Sequence, residues 1–189
     1  MSSIFASSLV NEGLKTSETI SEIPNVEPSK DLPVTSSGIE TNPSIETGEH
    51  QYLICRNESL EGDRHPLTGV EFDRNEVTLS DGTVVEGVFP NFPTVFEGKL
   101  QEVNYHDSDA KHFKEANSQL QLEIERNPSS KVEFTEDQIA QIEAGDTPEG
   151  YVWHHSEEPG VLQLVDSDLH AQTGHTGGRS IWGGGHEYR

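Results

Sequence analysis

The side chains best equipped for chemistry are four histidines, His154, His155, His170 and His175, close together near one end of the chain. Four of nine histidines fall within twenty-two residues. Neutral imidazoles suit borderline transition metals such as zinc, nickel or cobalt. Three of them around one ion leave positions open for water or a phosphate oxygen, the pattern of a catalytic rather than a closed structural site. Neighbours on a strand point to opposite faces, so His154 and His155 cannot both reach that ion unless the strand ends or twists there. A strand end would let one ligate and the other project toward substrate. His170 and His175 are five residues apart, slightly more than one helical turn, and both reach one ion if a helix unwinds at Gly174.

Those side chains need elements to hold them. Tyr151 to His155 has strand character, Ser156 to Gly160 forms a turn containing Pro-Gly, and Val161 to Val165 reads as a second strand. Asp166 is a good N-cap for a short helix through Leu169 and His170, which the glycine-rich segment after Thr173 ends. Gly177, Gly178 and Gly183 to Gly185 taken alone read as a flexible terminus, the alternative being that they let the backbone approach a phosphate closely.

Upstream, Val77 to Leu79 and Thr83 to Phe89 flank Ser80-Asp81-Gly82, a hairpin signal because Asp-Gly supplies the positive φ angles of a tight turn. His65 to Phe72 reads as a loop entering a strand, and Phe89 to Gly98 as an extended segment laid over a core. Ser108 caps a helix on which Phe113, Ala116, Leu120 and Ile124 recur at helical spacing, ended by Asn127-Pro128. A shorter helix over about Glu136 to Ala144 has Thr135 and Gln138 at capping-box spacing and stops at Gly145. Trp153 and Trp182 read as packing residues.

The 189 residues are 31% hydrophobic, low for a wholly folded chain. Residues 1–50 carry eight acidic residues against two lysines and almost no aromatic side chains. Such a segment buries too little apolar surface to offset its ordering entropy, so it reads as a disordered acidic tail or linker, with order beginning near Tyr52. Met1 to Val10 lacks the basic start of a signal peptide, and no stretch approaches transmembrane length, so no membrane partner is expected. Cys55 is the one cysteine, which excludes an intramolecular disulfide framework and a cysteine-based zinc site. The net charge of −22 excludes a grip on duplex DNA through a broad basic face. Any nucleic-acid contact must depend on a local site, a metal ion or a few positioned arginines.

The blocks WHH at 153–155, LQLV at 162–165, LH at 169–170 and GHTGGR at 174–179 together resemble the WHH branch of the HNH nuclease superfamily, toxin domains at the C-terminal end of bacterial polymorphic toxins. HPLTGVEF at 65–72, FTEDQ at 134–138 and TPEGYVWHH at 147–155 extend the likeness over about Arg64 to Arg189. The resemblance implies an α+β domain at 51–189. Its C-terminal ββα-metal finger, at about 150–179, would pack on a small helical and β-hairpin subdomain and hold one divalent ion (zinc, nickel, magnesium or manganese). Carried over by motif, His154, His170 and His175 would be metal ligands and His155 the general base. Gln163 stands nearest the place of the asparagine that steadies the HNH hairpin loop. Arg179 is the candidate for holding the scissile phosphate, by chemistry as much as by likeness.

The implied activity is hydrolysis of DNA phosphodiesters by an antibacterial toxin. The alternatives are RNA cleavage at the same site, or a non-catalytic metal-bound module whose acidic face binds a protein. A nuclease of this kind implies a cognate immunity or inhibitor protein. It also implies delivery by a dedicated secretion system or a longer parent protein, a secretion chaperone or delivery component being a possible partner. Its place of action would be the cytoplasm of a target bacterium.

Overall fold

A computed structural model describes residues 48–188. The expected disordered tail lies almost wholly outside the described residues. Order starts slightly earlier than Tyr52: β1 (His50–Tyr52) runs parallel to β4 (Val84–Asn91) with His50 opposite Val84.

Among the described residues, two sheets and three α-helices make an α+β fold. The first sheet has the order β1-β4-β3-β2, with β2 (Asp63–Arg64), β3 (Glu71–Thr78) and β4 (Val84–Asn91). β3 and β4 are the hairpin expected from Asp81-Gly82, and Gly82 has the positive φ of 85° that the turn demands. The second sheet has the order β5-β7-β6, with β5 (Thr94–Lys99), β6 (Tyr151–His155) and β7 (Val161–Asp166). The expectation for Phe89 to Gly98 needs correcting here. Instead of lying over a core, most of this run divides into the end of β4 and the edge strand β5, which pairs antiparallel with β7. Pro90 falls in β4 and Pro93 between the two strands. Pro90 lies beyond Val84–Glu86, the stretch of β4 that pairs with β1, so that side of β4 is an edge where a missing N–H is tolerated.

α1 (Asp109–Arg126) and α2 (Glu136–Glu143) occur where their caps and apolar periods place them. Thr135 and Gln138 form the complete reciprocal capping box. α1 lays Ala116, Leu120 and Ile124 on the second sheet against Leu162, Leu164 and Trp153, with Ile142 of α2 and Trp182 completing that core. A smaller core of Val70, Phe72, Val88, Phe92 and Val165 joins the two sheets. Both tryptophans are buried, as expected of packing residues. Among the described residues no helix is long and apolar enough to cross a membrane.

The register of β6 on β7 settles what each strand face carries. Trp153 and His155 lie opposite Leu164 and Leu162 and face α1, while Val152 and His154 lie opposite Val165 and Gln163 on the reverse face. α3 (Ser167–Gln172) follows β7 directly, its first turn capped by Asp166, whose carboxylate accepts from the Leu169 N–H at 2.8 Å. Strand, strand, helix is therefore the local architecture around the histidines.

Candidate metal centre and active site

His154, on β6, meets His170 on α3 and His175 just past it. One ring nitrogen of each lies within 4.8 Å of the others. His154 Nδ1 and His170 Nε2 are 3.3 Å apart. Two imidazoles bound tetrahedrally at about 2.0–2.1 Å would stand at roughly that separation. The helix gives way sooner than Gly174: Thr173 ends it, its N–H and hydroxyl both directed to the Leu169 carbonyl. The chain then turns so that the His175 Nδ1–H donates to the Thr173 carbonyl at 2.7 Å. A carbonyl can only accept, so this bond fixes the tautomer and leaves the Nε2 lone pair for a ligand.

Phe92 forms the floor of the cluster, with ring centroids 4.9, 5.3 and 5.2 Å from those of His154, His170 and His175. Burial here disfavours the charged imidazolium. His154 is held well below its ordinary pKa by burial and then by the neighbouring rings of His175 and His170. His170 is pushed down to about 4 by burial and by His175. His175 is also lowered by burial, against the pull of the Thr173 carbonyl. Three neutral imidazoles with converging nitrogens fit a divalent transition-metal ion, which requires unprotonated donors.

His155, one residue along, faces the other way and meets His112, 1% exposed on α1. The His112 Nε2–H donates to the Asn104 carbonyl at 2.8 Å, so its Nδ1 must be the acceptor. His155 Nε2 lies 3.0 Å from that Nδ1, and Arg179 Nη1 lies 3.1 Å from it. The donating Nε2–H of His155 leaves its Nδ1 as the basic nitrogen. Asp109 Oδ1 stands 3.8 Å from the same Nε2. Because His155 is the last residue of β6, it still opens into the cleft lined by His154, His170, His175 and Gly177.

Arg179 also borders this cleft, but its terminal nitrogens are already directed inward. Nη1 donates to the Tyr105 carbonyl at 3.2 Å, Nη2 to the carbonyls of Asp107 (2.6 Å) and Tyr188, and Nε sits 3.2 Å from Asp109 Oδ1. At 2% exposure the guanidinium braces the 105–109 loop around His112. Holding a phosphate, as expected of it from the sequence, would require this guanidinium to exchange some of those internal bonds. Gln163 shares the face of His154, but its amide donates to Glu97 Oε1 on β5 at 2.8 Å and does not bridge the hairpin loop. That loop is steadied from elsewhere: Trp182 Nε1 donates to the Ser156 carbonyl at 2.9 Å and Asn75 Nδ2 to Glu157 at 2.8 Å. Nor is the glycine segment a loose end. Gly178 lies so close to β6 that a Cβ there would meet the Ser156 carbonyl oxygen at 1.7 Å.

His112, Asp109 and Phe92 are the site residues that the sequence did not single out. His112 did leave one signal, since it stands four residues before Ala116 in phase with Leu120 and Ile124, a polar residue on a buried stripe.

A strand–strand–helix unit with converging imidazoles on one side and a hydrogen-bonded histidine on the other defines a hydrolytic class of site. The family model for the DNase/tRNase domain of colicin-like bacteriocins matches residues 81–177, 97 of the 189 residues, and the chain belongs to that family. It is a toxin-type nuclease domain, and the match spans all four histidines. No curated protein and no solved structure matches the chain.

Proposed function

We propose that residues 51–189 form a metal-dependent HNH endonuclease of the WHH kind, with its ββα unit at about 150–179, which hydrolyses DNA as an antibacterial toxin. The observation that carries this reading is the parting of His154 and His155 across β6. One joins two neutral imidazoles, and the other has its Nε2–H directed to His112 and opens into the same cleft. A purely structural metal site gives no reason for the second arrangement.

His155 Nδ1 takes a proton from water, and the resulting hydroxide attacks phosphorus in line. The P–O3′ bond breaks, the leaving oxygen takes up a proton, and the products are a 5′-phosphate and a 3′-hydroxyl. His154, His170 and His175 would hold a divalent ion (zinc, nickel, magnesium or manganese), which when bound supplies charge stabilisation to the phosphate and departing oxygens. Phe92 keeps the three rings together, and Gln163 ties β7 to β5 behind His154. Arg179 supports the loop that carries Asp109. A bacteriocin-type role brings with it an immunity protein in the producing cell and delivery into the cytoplasm of a target bacterium.

The test is incubation with supercoiled plasmid and, separately, with total RNA or tRNA, each with one of the four ions or with a chelator. Metal-dependent nicking and linearisation of plasmid are expected. Loss of RNA alone would keep the site and change the substrate. Intact substrates throughout, from folded protein, would reject the nuclease reading.

The bond from His155 to His112 makes His112 a positioning residue. His112→Ala should lower kcat about 10- to 100-fold, the usual cost of losing an outer-shell partner, with KM and metal affinity little changed. His112→Asn, whose Oδ1 can stand where Nδ1 stood, should restore part of that loss. A fall in Tm with kcat intact would instead assign His112 to packing alone.

A further inference from the structure

Arg179 being turned inward raises the question of which cation meets the substrate's phosphates. Acidic residues outnumber lysine and arginine by 27 to 9 in residues 48–188, so most cations there find carboxylates. Arg64 pairs with Glu71, Arg74 with Glu61 and Glu86, Lys111 with Asp107, Lys131 with Glu143, and Arg179 with Asp109. Arg56 makes no ion pair among the described residues, although Glu58 is two positions along the chain.

Its place is specific. The Arg56 guanidinium lies across Gly174, the residue before His175. A Cβ built at position 174 would come within 2.5 Å of Arg56 Nε, 2.6 Å of Cζ and 2.8 Å of Nη2. A side chain at position 174 would push the guanidinium aside, so glycine lets it lie against the main chain there. The main chain under it is pinned to the same loop: the Arg56 N–H donates to Thr176 Oγ1 at 2.9 Å, and Asn57 Nδ2 donates to the Gly174 carbonyl. Asn57 takes a left-handed φ of 66°, a conformation asparagine tolerates better than most residues, and this turns the chain back at that point. So the backbone of Arg56 is fixed while its side chain stays exposed. Lys99, Lys114 and Arg126 also lack ion pairs among the described residues, but Lys99 on β5 donates to the Pro159 carbonyl, the other two are on α1, and none is bonded to the histidine-bearing loop.

We propose that Arg56 grips a backbone phosphate of the nucleic acid beside the histidine cluster, the role expected of Arg179. A planar guanidinium offers parallel N–H donors that match two phosphate oxygens, and a guanidinium without a carboxylate needs no internal bond broken to do so. With an ion on the three histidines, the rim would carry two centres of positive charge, and a bridging anion neutralises both. A phosphodiester is such an anion. The many carboxylates elsewhere would turn nucleic acid away from other faces, which concentrates binding on this edge. The proposal rests on the nuclease reading above.

Its test separates binding from turnover. In a His155→Ala background with metal present, affinity for a fluorescent duplex oligonucleotide is measured by anisotropy over a series of salt concentrations, with Arg56 or with Arg56→Ala, Arg56→Gln or Arg56→Lys. Loss of the charged hydrogen bonds should weaken binding about tenfold. It should also reduce the slope of log affinity against log salt by about one. Lysine should restore the slope but only part of the affinity. Melting temperature and metal binding should stay as in the parent, and Arg56→Gln keeps the test valid if the shorter side chain disturbs the loop. Unchanged affinity and slope in Arg56→Ala, beside a parent enzyme with His155 that cleaves, would overturn this proposal alone. A parent that cleaves no nucleic acid with any ion would overturn the nuclease reading and this proposal with it.

Discussion

His155→Ala should abolish metal-dependent cleavage while the protein stays folded and still binds its ion. The side chain that would accept the proton from water is lost, and general bases typically contribute about 10²- to 10⁴-fold to rate. The ion should remain because none of the three converging nitrogens belongs to His155: they come from His154, His170 and His175. Fold should persist because His155 is at the end of β6, and Trp153 and Leu164, which bury the strand, are untouched. The loss should therefore appear in kcat, with calorimetric metal binding close to the parent's. His112 Nδ1 would keep one donor, Arg179 Nη1, so the buried ring is not left unsatisfied. Cleavage by His155→Ala at the parent's rate would mean that another group activates water, and the assignment of roles on β6 would fall. Loss of metal together with activity would place His155 among the ligands instead.

How far the site could be read in advance depended on how local its causes are. The Asp81-Gly82 turn, the Thr135 and Gln138 capping box and the Asp166 cap are decided within four or five residues, and each took the structure its chemistry implied. The parting of His154 and His155 followed from strand geometry alone. What stayed hidden was contact across long stretches of chain. The His112–His155 bond joins residues 43 apart, Arg179 reaches back 74 residues to the Tyr105 carbonyl, and the Arg56 backbone is fastened to Thr176, 120 residues on. No periodicity within one element reports such pairings.

Arg179 shows the consequence. A guanidinium beside a histidine motif suggests phosphate binding, yet three backbone carbonyls and Asp109 already surround this one, and only tertiary structure could reveal that. Phe92 is similar. In sequence it is one aromatic residue in a proline-containing run, and in space it lies beneath three imidazoles. The strand β5 was missed for a related reason, since its partner β7 comes more than sixty residues later.

His175→Ala should lose the ion and the activity together. Three nitrogens within 4.8 Å of one another form the cluster, and removing one leaves two ligands in a pocket still floored by Phe92. Affinity measured by calorimetry should fall by more than the roughly 10- to 100-fold that losing an outer-shell partner costs. Cleavage should fall with it at any attainable metal concentration. His175→Ala with parent metal affinity would remove this residue from the ligand set.

The same cluster predicts a pH dependence with a definite sign. In the unfolded chain these histidines take protons near the ordinary imidazole value of about 6.5, whereas in the folded, metal-free protein they resist protonation, His170 down to about 4. Between those values the unfolded state binds more protons, so the stability of the metal-free protein falls as pH drops through that window and is unaffected by these groups above it. Thermal melts of chelated protein from pH 7.5 to pH 4.5 should show this decline. The decline should shrink in His170→Ala, which removes one resisting ring. Metal binding needs the same lone pairs, and lowered pKa values mean that protons compete poorly near neutrality, so affinity should hold between pH 7.5 and pH 6.5. A steep loss of affinity over that single unit would show that the three rings protonate as free imidazoles do, and that burial against Phe92 does not keep them ready for an ion.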